Sequence, residues 1–410
     1  MIDLVVRNAS QILTCFVDGA RPPYSGPLQA AIGLTEGGVA VNDGRILDVG
    51  PGVADQEAEE VIDAEGGVVM PGFVDCHTHA VFVGSRADEL EDRARGVAYE
   101  QIARRGGGIR ASMKMLREAS DDELAAAVQR HLDWFLRLGT TTIEAKSGYG
   151  LSLEHEMRSL RALVADHPVE VVRTCLAAHF VPPEFEEDRE GYLDLVCNEI
   201  LPSIAQEKLA EYCDVFCERG VFSFAESERV LRAGLEVGLT PRVHADQLSN
   251  TGGARLAARV DAITADHLEF STRRDAHEMR DAGVIAVLLP AANYALDQVE
   301  RPPTRPFVHV GVPIAIATDF NPGSAPTPSM PLVMNMAVTR FGLTIREAIV
   351  AATINAACAA GRGREIGALA PGRQADVIVC DTPDYRDLAY IFGRNPVKTV
   401  IKRGRVAWKR

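Results

Sequence analysis

The sequence predicts an α/β protein, a (β/α)8 TIM barrel with a small β-sandwich domain built from both chain termini. Three observations predict it. The middle of the 410-residue chain alternates eight short β-branched runs with longer amphipathic stretches. All but the seventh of those runs end in residues that carry chemistry. The two ends of the chain resemble each other and differ from the middle.

The N-terminal piece, residues 1–65, contains GGVAVNDGRILDVGPG, which alternates apolar and polar residues about Asn42-Asp43-Gly44. That is the chemistry of a tight hairpin. The C-terminal piece, residues 366–410, repeats the pattern about Arg403-Gly404, and ADVIVCD adds another short run. Neither piece has enough strands to bury a face alone, so the two are expected to pair into one composite β-domain. Residues 66–365 are expected to form the barrel. Its runs are VVMPGFVDCHTH, TTTIEAKSGYG, VEVVRTCLAAH, CDVFCERG, LTPRVHADQ, AITADHL, GVIAVLLP and VPIAIATDFNPG. Stretches such as DDELAAAVQRHLDWFLRLG separate them, and the number eight favours a closed barrel over an open sheet.

Composition narrows the partners. Hydrophobic residues at 47% and charged residues at 24% exclude a wholly disordered or collagen-like chain. A net charge of −14 repels phosphate backbones and anionic lipid, so neither nucleic acid nor a membrane is an expected partner. Asp3 and Arg7 interrupt any secretory signal, and the uncharged run 282–296 is short and holds Pro290 and Asn293. Eight cysteines at irregular spacing form no CxxC pair. Buried thiols in the cytoplasm are the expectation.

Position singles out the chemistry. In a barrel the C-terminal strand ends converge on one mouth. There the sequence places His77 and His79, Lys146 and Tyr149, His179, Glu218, His244 and Gln247, His267, and Asp319. His77 and His79, two residues apart, share one strand face and can grip one divalent cation. Strand-end His244 and Asp319 complete a candidate set of metal ligands. Three imidazoles and a carboxylate suit Zn²⁺ and Fe²⁺/Fe³⁺ alike.

The segments PGFVDCHTHAVFVGSR, PRVHADQ, TADHLE, ATDFNPGS and GALAPGRQADVIVCD resemble the amidohydrolase superfamily. VFVGSRADEL, YEQIARRGGGI, EAKSGYGL, CLAAHFVP and HADQLSNTGGA narrow the likeness to the imidazolonepropionase family of histidine degradation. The resemblance implies metal-assisted hydrolysis with His77, His79, His244 and Asp319 as metal ligands. Superfamily members with two metals bridge them through a carboxylated lysine or an acid at the end of the fourth strand; here the fourth run ends Cys217-Glu218-Arg219 with no lysine, so the resemblance implies one metal, with Lys146 of the second run structural or a salt-bridge partner. It further implies Asp319 as the proton carrier and His267 as the group that orients the nucleophile or polarises the carbonyl.

The implied substrate is 4-imidazolone-5-propanoate, opened to N-formimidoyl-L-glutamate. Arg86 has the planar fork suited to the propanoate. Tyr149 and His179 are implied as substrate contacts, and Gln247 can donate to and accept from the ring. In the loop after Asp319, Gly323 can offer backbone N–H groups to an anionic oxygen, with Asn321 and Ser324 adding side-chain bonds. Tyr99 and the run Gly106-Gly107-Gly108 are expected to shape a lid. Similar proteins suggest a homodimer. A ring deaminase on the same ligands, which would release ammonia, and a barrel retained only as an assembly partner are the competing readings.

Overall fold

The computed structural model describes residues 2–97, 101 and 105–410, and Tyr99 lies outside the described residues. The chain ends build one mixed sheet. Its strands are β1 (Ile2–Leu13), β2 (Leu34–Asn42), β3 (Arg45–Gly50), β4 (Ala58–Asp63) and β5 (Val68–Pro71). The tail returns as β14 (Val377–Cys380), β15 (Val397–Lys402) and β16 (Arg405–Lys409). The order is β16-β15-β14-β5-β1-β2-β3, with β4 on β1. Asp43 and Gly44 both take positive φ between the paired Asn42 and Arg45, as do Arg403 and Gly404 between Lys402 and Arg405. These are the primed turns that match strand twist. The two tips touch, for a Cβ on Gly404 would lie 2.9 Å from Gly44 Cα.

The barrel strands are β6 (Phe73–Thr78), β7 (Thr140–Lys146), β8 (Glu170–Ala178) and β9 (Tyr212–Cys217), followed by β10 (Thr240–Ala245), β11 (Thr264–His267), β12 (Ile285–Leu288) and β13 (Ile314–Ile316). They lie in sequence order, all parallel. Closure comes just past β13, where Thr78 bridges Phe320 and His77 O accepts from the Asp319 N–H at 3.0 Å. All eight expected runs supply a strand. The first run divides, however: Val68–Pro71 joins the terminal sheet and only Phe73–Thr78 enters the barrel.

Helices begin where side-chain chemistry starts them. Ser120 with Glu123, and Ser223 with Glu226, form reciprocal capping boxes that satisfy the otherwise unpaired first N–H groups. The helix Asp121–Arg137 buries Leu124, Val128, His131, Leu132 and Phe135 at helical spacing. The seam between sheet and barrel holds a buried ion pair, Lys402 Nζ to Asp376 Oδ2 at 2.8 Å, and Lys402 also donates to Thr142 Oγ1. No described helix is long and apolar enough to cross a membrane, and all eight cysteines are free thiols.

Candidate active site and metal centre

The strand ends do converge. His77 is the last residue but one of β6 and His79 follows that strand, His244 is the last but one of β10, His267 ends β11, and Asp319 lies just past β13. Asp319 Oδ1 lies 3.4 Å from His79 Nε2 and 3.6 Å from His77 Nε2. His79 Nε2 and His244 Nε2 are 3.4 Å apart. Two overlapping groups share His77: His77, His79 and Asp319, and His77, His244 and His267. All five side chains are buried.

The outer faces of two of these rings are held by acids. His77 Nδ1 meets Asp266 Oδ2 at 2.6 Å, and His244 Nδ1 lies 3.0 Å from Asp214 Oδ2. An acid on Nδ1 keeps the proton there and turns the Nε2 lone pair toward the cluster. Below them Lys146 Nζ sits 2.9 Å from both Glu144 Oε1 and Asp214 Oδ2, and 3.9 Å from Asp266 Oδ2. Lys146 is thus an ion-pair partner. Arg242 continues the network 3.9 Å from Glu144 Oε1 and donates to the carbonyls of Cys76 and Ala359.

The titration behaviour follows from burial. Burial pushes His77, His79 and His267 well below the ordinary imidazole range, so these rings are neutral and their lone pairs available. Burial also raises the Asp319 carboxyl to about 7. Asp214 goes the other way, because the attraction of Lys146 and His244 outweighs its desolvation.

The donor set fits a divalent metal. His77 Nε2 is buried without a hydrogen-bond partner among the described residues, and it faces an acceptor oxygen and other lone pairs. Convergent acceptors without a donor are unfavourable until a cation lies between them. Glu218, the acid at the end of β9, is engaged elsewhere: it accepts the N–H groups of Leu248 and Ser249.

Above the cluster is a cavity of about 380 Å³. His79, His244, His267 and Asp319 form part of its lining, together with Arg86, Tyr149, His179, Gln247, Asn321, Gly323 and Ser324. His77 lies beneath, with no exposure. His179 Nδ1 meets Gly148 O at 2.9 Å; a carbonyl only accepts, so the ring carries its proton on Nδ1 and Nε2 is an acceptor. The His179 ring stacks on His79, centroids 5.2 Å apart, with Tyr149 5.5 Å away. The Gly323 and Ser324 N–H groups, expected to meet an anion, both donate to Asn321 Oδ1 at 2.8 Å. The short Asn321 side chain closes its own turn.

Glu89, Arg93, Phe216, Leu248 and Gln298 also line the cavity, and sequence reasoning did not find them. Nor did it find Glu144, Asp214 and Asp266. A signal for those three was present: each is the one acid inside a short β-run, in TTTIEAK, CDVFC and AITADH.

The chain belongs to the amidohydrolase family, which it matches over residues 68–407, and within it to the imidazolonepropionase family. It is 46% identical to the imidazolonepropionase of Solibacter usitatus, with both chains covered in full. It is 46% identical to that of Geobacillus kaustophilus over 99% of this chain and 98% of the other. With that of Methylobacterium nodulans it shares 48% identity over 91% and 95%. Among solved structures, an adenosine deaminase from Xanthomonas campestris with bound zinc superposes with a TM-score of 0.73 at 19% identity, covering 99% of this chain and 92% of that one. That likeness is one of fold.

Proposed function

We propose that the protein opens the ring of 4-imidazolone-5-propanoate by hydrolysis to give N-formimidoyl-L-glutamate, a step in the degradation of histidine. The observation that carries the reading is the content of one cavity. Convergent histidines and an aspartate lie at its floor, and a guanidinium suited to a carboxylate lies at its wall. The whole-chain relatives named imidazolonepropionase support it.

His77, His79, His244 and Asp319 would hold one divalent ion per chain, zinc or iron. When bound, that ion supplies Lewis-acid polarisation of the carbonyl and acidification of water. The residues do the rest. Water adds to the ring carbonyl carbon, the bond to the adjacent ring nitrogen breaks, and the carbonyl carbon becomes a carboxylate. Asp319 takes a proton from the attacking water and delivers it to the departing nitrogen. His267 orients the nucleophile or polarises the carbonyl. Arg86 binds the propanoate with its planar fork. His179 Nε2 accepts from a ring N–H, Tyr149 packs beside it, and Gln247 pairs with the ring's donor and acceptor edge. Asn321, Gly323 and Ser324 wall the carboxylate side. Work in the cytoplasm as a homodimer, without nucleic acid or membrane, completes the reading.

The test is turnover of freshly generated imidazolone propanoate by metal-analysed protein, followed as loss of ring ultraviolet absorbance, with the product identified by mass and a chelator-treated control. Turnover that vanishes with the metal is expected. Metal-loaded protein that leaves this substrate intact would overturn the reading, and ammonia released from an amino-substituted ring would replace it with a deaminase.

A further inference from the structure

The cavity wall holds a carboxylate that the proposed chemistry does not use. Glu89 lies in the first turn of the helix Ala87–Ala94 and grips Arg86 with two bonds, Nε to Oε1 at 2.9 Å and Nη2 to Oε2 at 2.7 Å. Its Oε1 also accepts the Gly108 N–H at 2.8 Å. Across the cavity loop, Gly323 lies against the same guanidinium. A Cβ there would sit 2.5 Å from Arg86 Cζ and 2.8 Å from Nη2, and closer still to Nη1.

We infer that Glu89 is a positioning residue for substrate recognition: it fixes the plane of the Arg86 guanidinium, and Gly323 clears the space in which that plane lies. The inference rests on the reading of Arg86 as the partner of the substrate's carboxylate.

An ordinary surface ion pair does not account for the arrangement. At the C-terminal end of the same helix Arg95 pairs with Glu91 at 3.2 Å, but both side chains are 69% exposed. Such a pair is screened by solvent and holds neither group in a fixed direction. Arg86 and Glu89 are 9% and 14% exposed and both line the cavity. Glu89 is itself anchored by a backbone N–H, so it imposes a direction on its partner. It holds the Nε–Nη2 edge and so sets the plane in which the remaining N–H groups of the guanidinium point. Fixing the fork beforehand removes an ordering cost from substrate binding. Nor does backbone conformation demand glycine at 323, since its φ lies outside the left-handed region. Space demands it. The atoms a methyl would meet belong to the far end of a flexible side chain, so Gly323→Ala would swing the guanidinium with little cost to the fold.

The experiment measures KM and kcat for Arg86→Ala, Glu89→Gln and Gly323→Ala, and for each of the last two combined with Arg86→Ala. Substrates are imidazolone propanoate and its analogue with the tail carboxylate converted to an amide. Glu89→Gln and Gly323→Ala are each expected to raise KM for the carboxylate substrate by about tenfold, with kcat within about twofold. On the amide analogue both should match the unsubstituted protein. In the Arg86→Ala background neither should add anything, as expected for residues acting through one partner. A lower or unchanged KM in Glu89→Gln, or equal effects on both substrates, or effects that persist without Arg86, would overturn the inference. An Arg86→Ala variant with unchanged KM would instead remove the assignment of Arg86 on which it rests.

Discussion

Replacing Lys146 with methionine keeps a long unbranched side chain inside the barrel and takes away one charge. The ammonium lies 2.9 Å from Glu144 and Asp214 and 3.9 Å from Asp266, and none of these side chains reaches solvent. At an effective dielectric of about 20, each 2.9 Å contact attracts by roughly 5–6 kcal/mol, most of which desolvation of the ions offsets. Removing one partner forfeits the attraction and leaves the acids buried, a loss of about 3–5 kcal/mol. Arg242 still faces Glu144 and also attracts Asp266, so the loss falls chiefly on Asp214 and less on Asp266. Those two acids stand behind His244 and His77. Disturbing such an orienting acid weakens metal binding by about 10–100-fold. Lys146→Met is therefore expected to unfold at lower urea concentration, its stability reduced by about 3–5 kcal/mol. Under conditions where it remains folded, it should bind metal 10–100-fold more weakly in competition with a chromophoric chelator, an order-of-magnitude figure of roughly 1.5–3 kcal/mol. Loss of stability with undiminished metal affinity would refute the claim that Lys146 positions the histidines through the two acids.

His244→Ala is expected to lose metal and hydrolysis together; metal analysis that finds the unsubstituted protein's stoichiometry would take His244 out of the ligand set. Chelation should lower the thermal midpoint, since an ion present at a thousand times its Kd stabilises the folded state by about 4 kcal/mol; an unchanged melting curve would count against a site built to hold one. Glu226 is held down to about 2 by its bond to Arg189 and by the Ser223 cap. A lowered folded-state value contributes stability above the unfolded value near 4.5 that is lost as pH falls from there toward 2. Because Arg189 is 39% exposed, solvent screening reduces this to about 1–2 kcal/mol. Glu226→Gln should flatten that part of the stability profile in urea titrations at stepped pH; a profile that stays parallel to the original would dismiss the pair.

Position explains what could be read without coordinates. Both hairpin tips were legible because only a few residue pairs tolerate two consecutive left-handed conformations, and Asp43-Gly44 and Arg403-Gly404 each end in glycine. The floor of the cavity was legible because strand ends in a barrel share one rim, so His77, His79, His244, His267 and Asp319 could be gathered by counting runs. The division at Gly72 was not, since the residues on either side are apolar and both sheets bury them; only the approach of Thr141, whose Oγ1 would lie 2.5 Å from a Cβ at 72, marks the break. Asp214 and Asp266 escaped for another reason. Each serves a ring on a different strand, and sequence spacing says nothing about which acid stands behind which histidine. Glu89 reads as one more acid on a polar helix with no buried face, and its value depends on the cavity lying beside it.

The backbone at the mouth shows that side chains, not turns, decide these positions. Asp246, His267 and Asp319, at or just beyond the ends of three strands, take φ of 52°, 80° and 54°. Glycine adopts that region at no steric cost, whereas a residue with a Cβ is strained there by about 1–3 kcal/mol. A chain selected only to turn at these points would carry glycine. Instead each holds a side chain that something nearby requires. Asp246 accepts the N–H groups of Thr251, Gly252 and Gly253 and the Ser271 hydroxyl, which fixes the loop carrying Gln247. His267 and Asp319 face the cavity, and the left-handed turn aims them at the centre of the rim rather than along the strand. Two of the three, Asp319 and His267, are the rim residues to which the proposed hydrolysis assigns chemistry, and the third, Asp246, holds the loop beside them. Glycine at 319 would relieve the strain there and would delete the oxygen on which His77 and His79 converge.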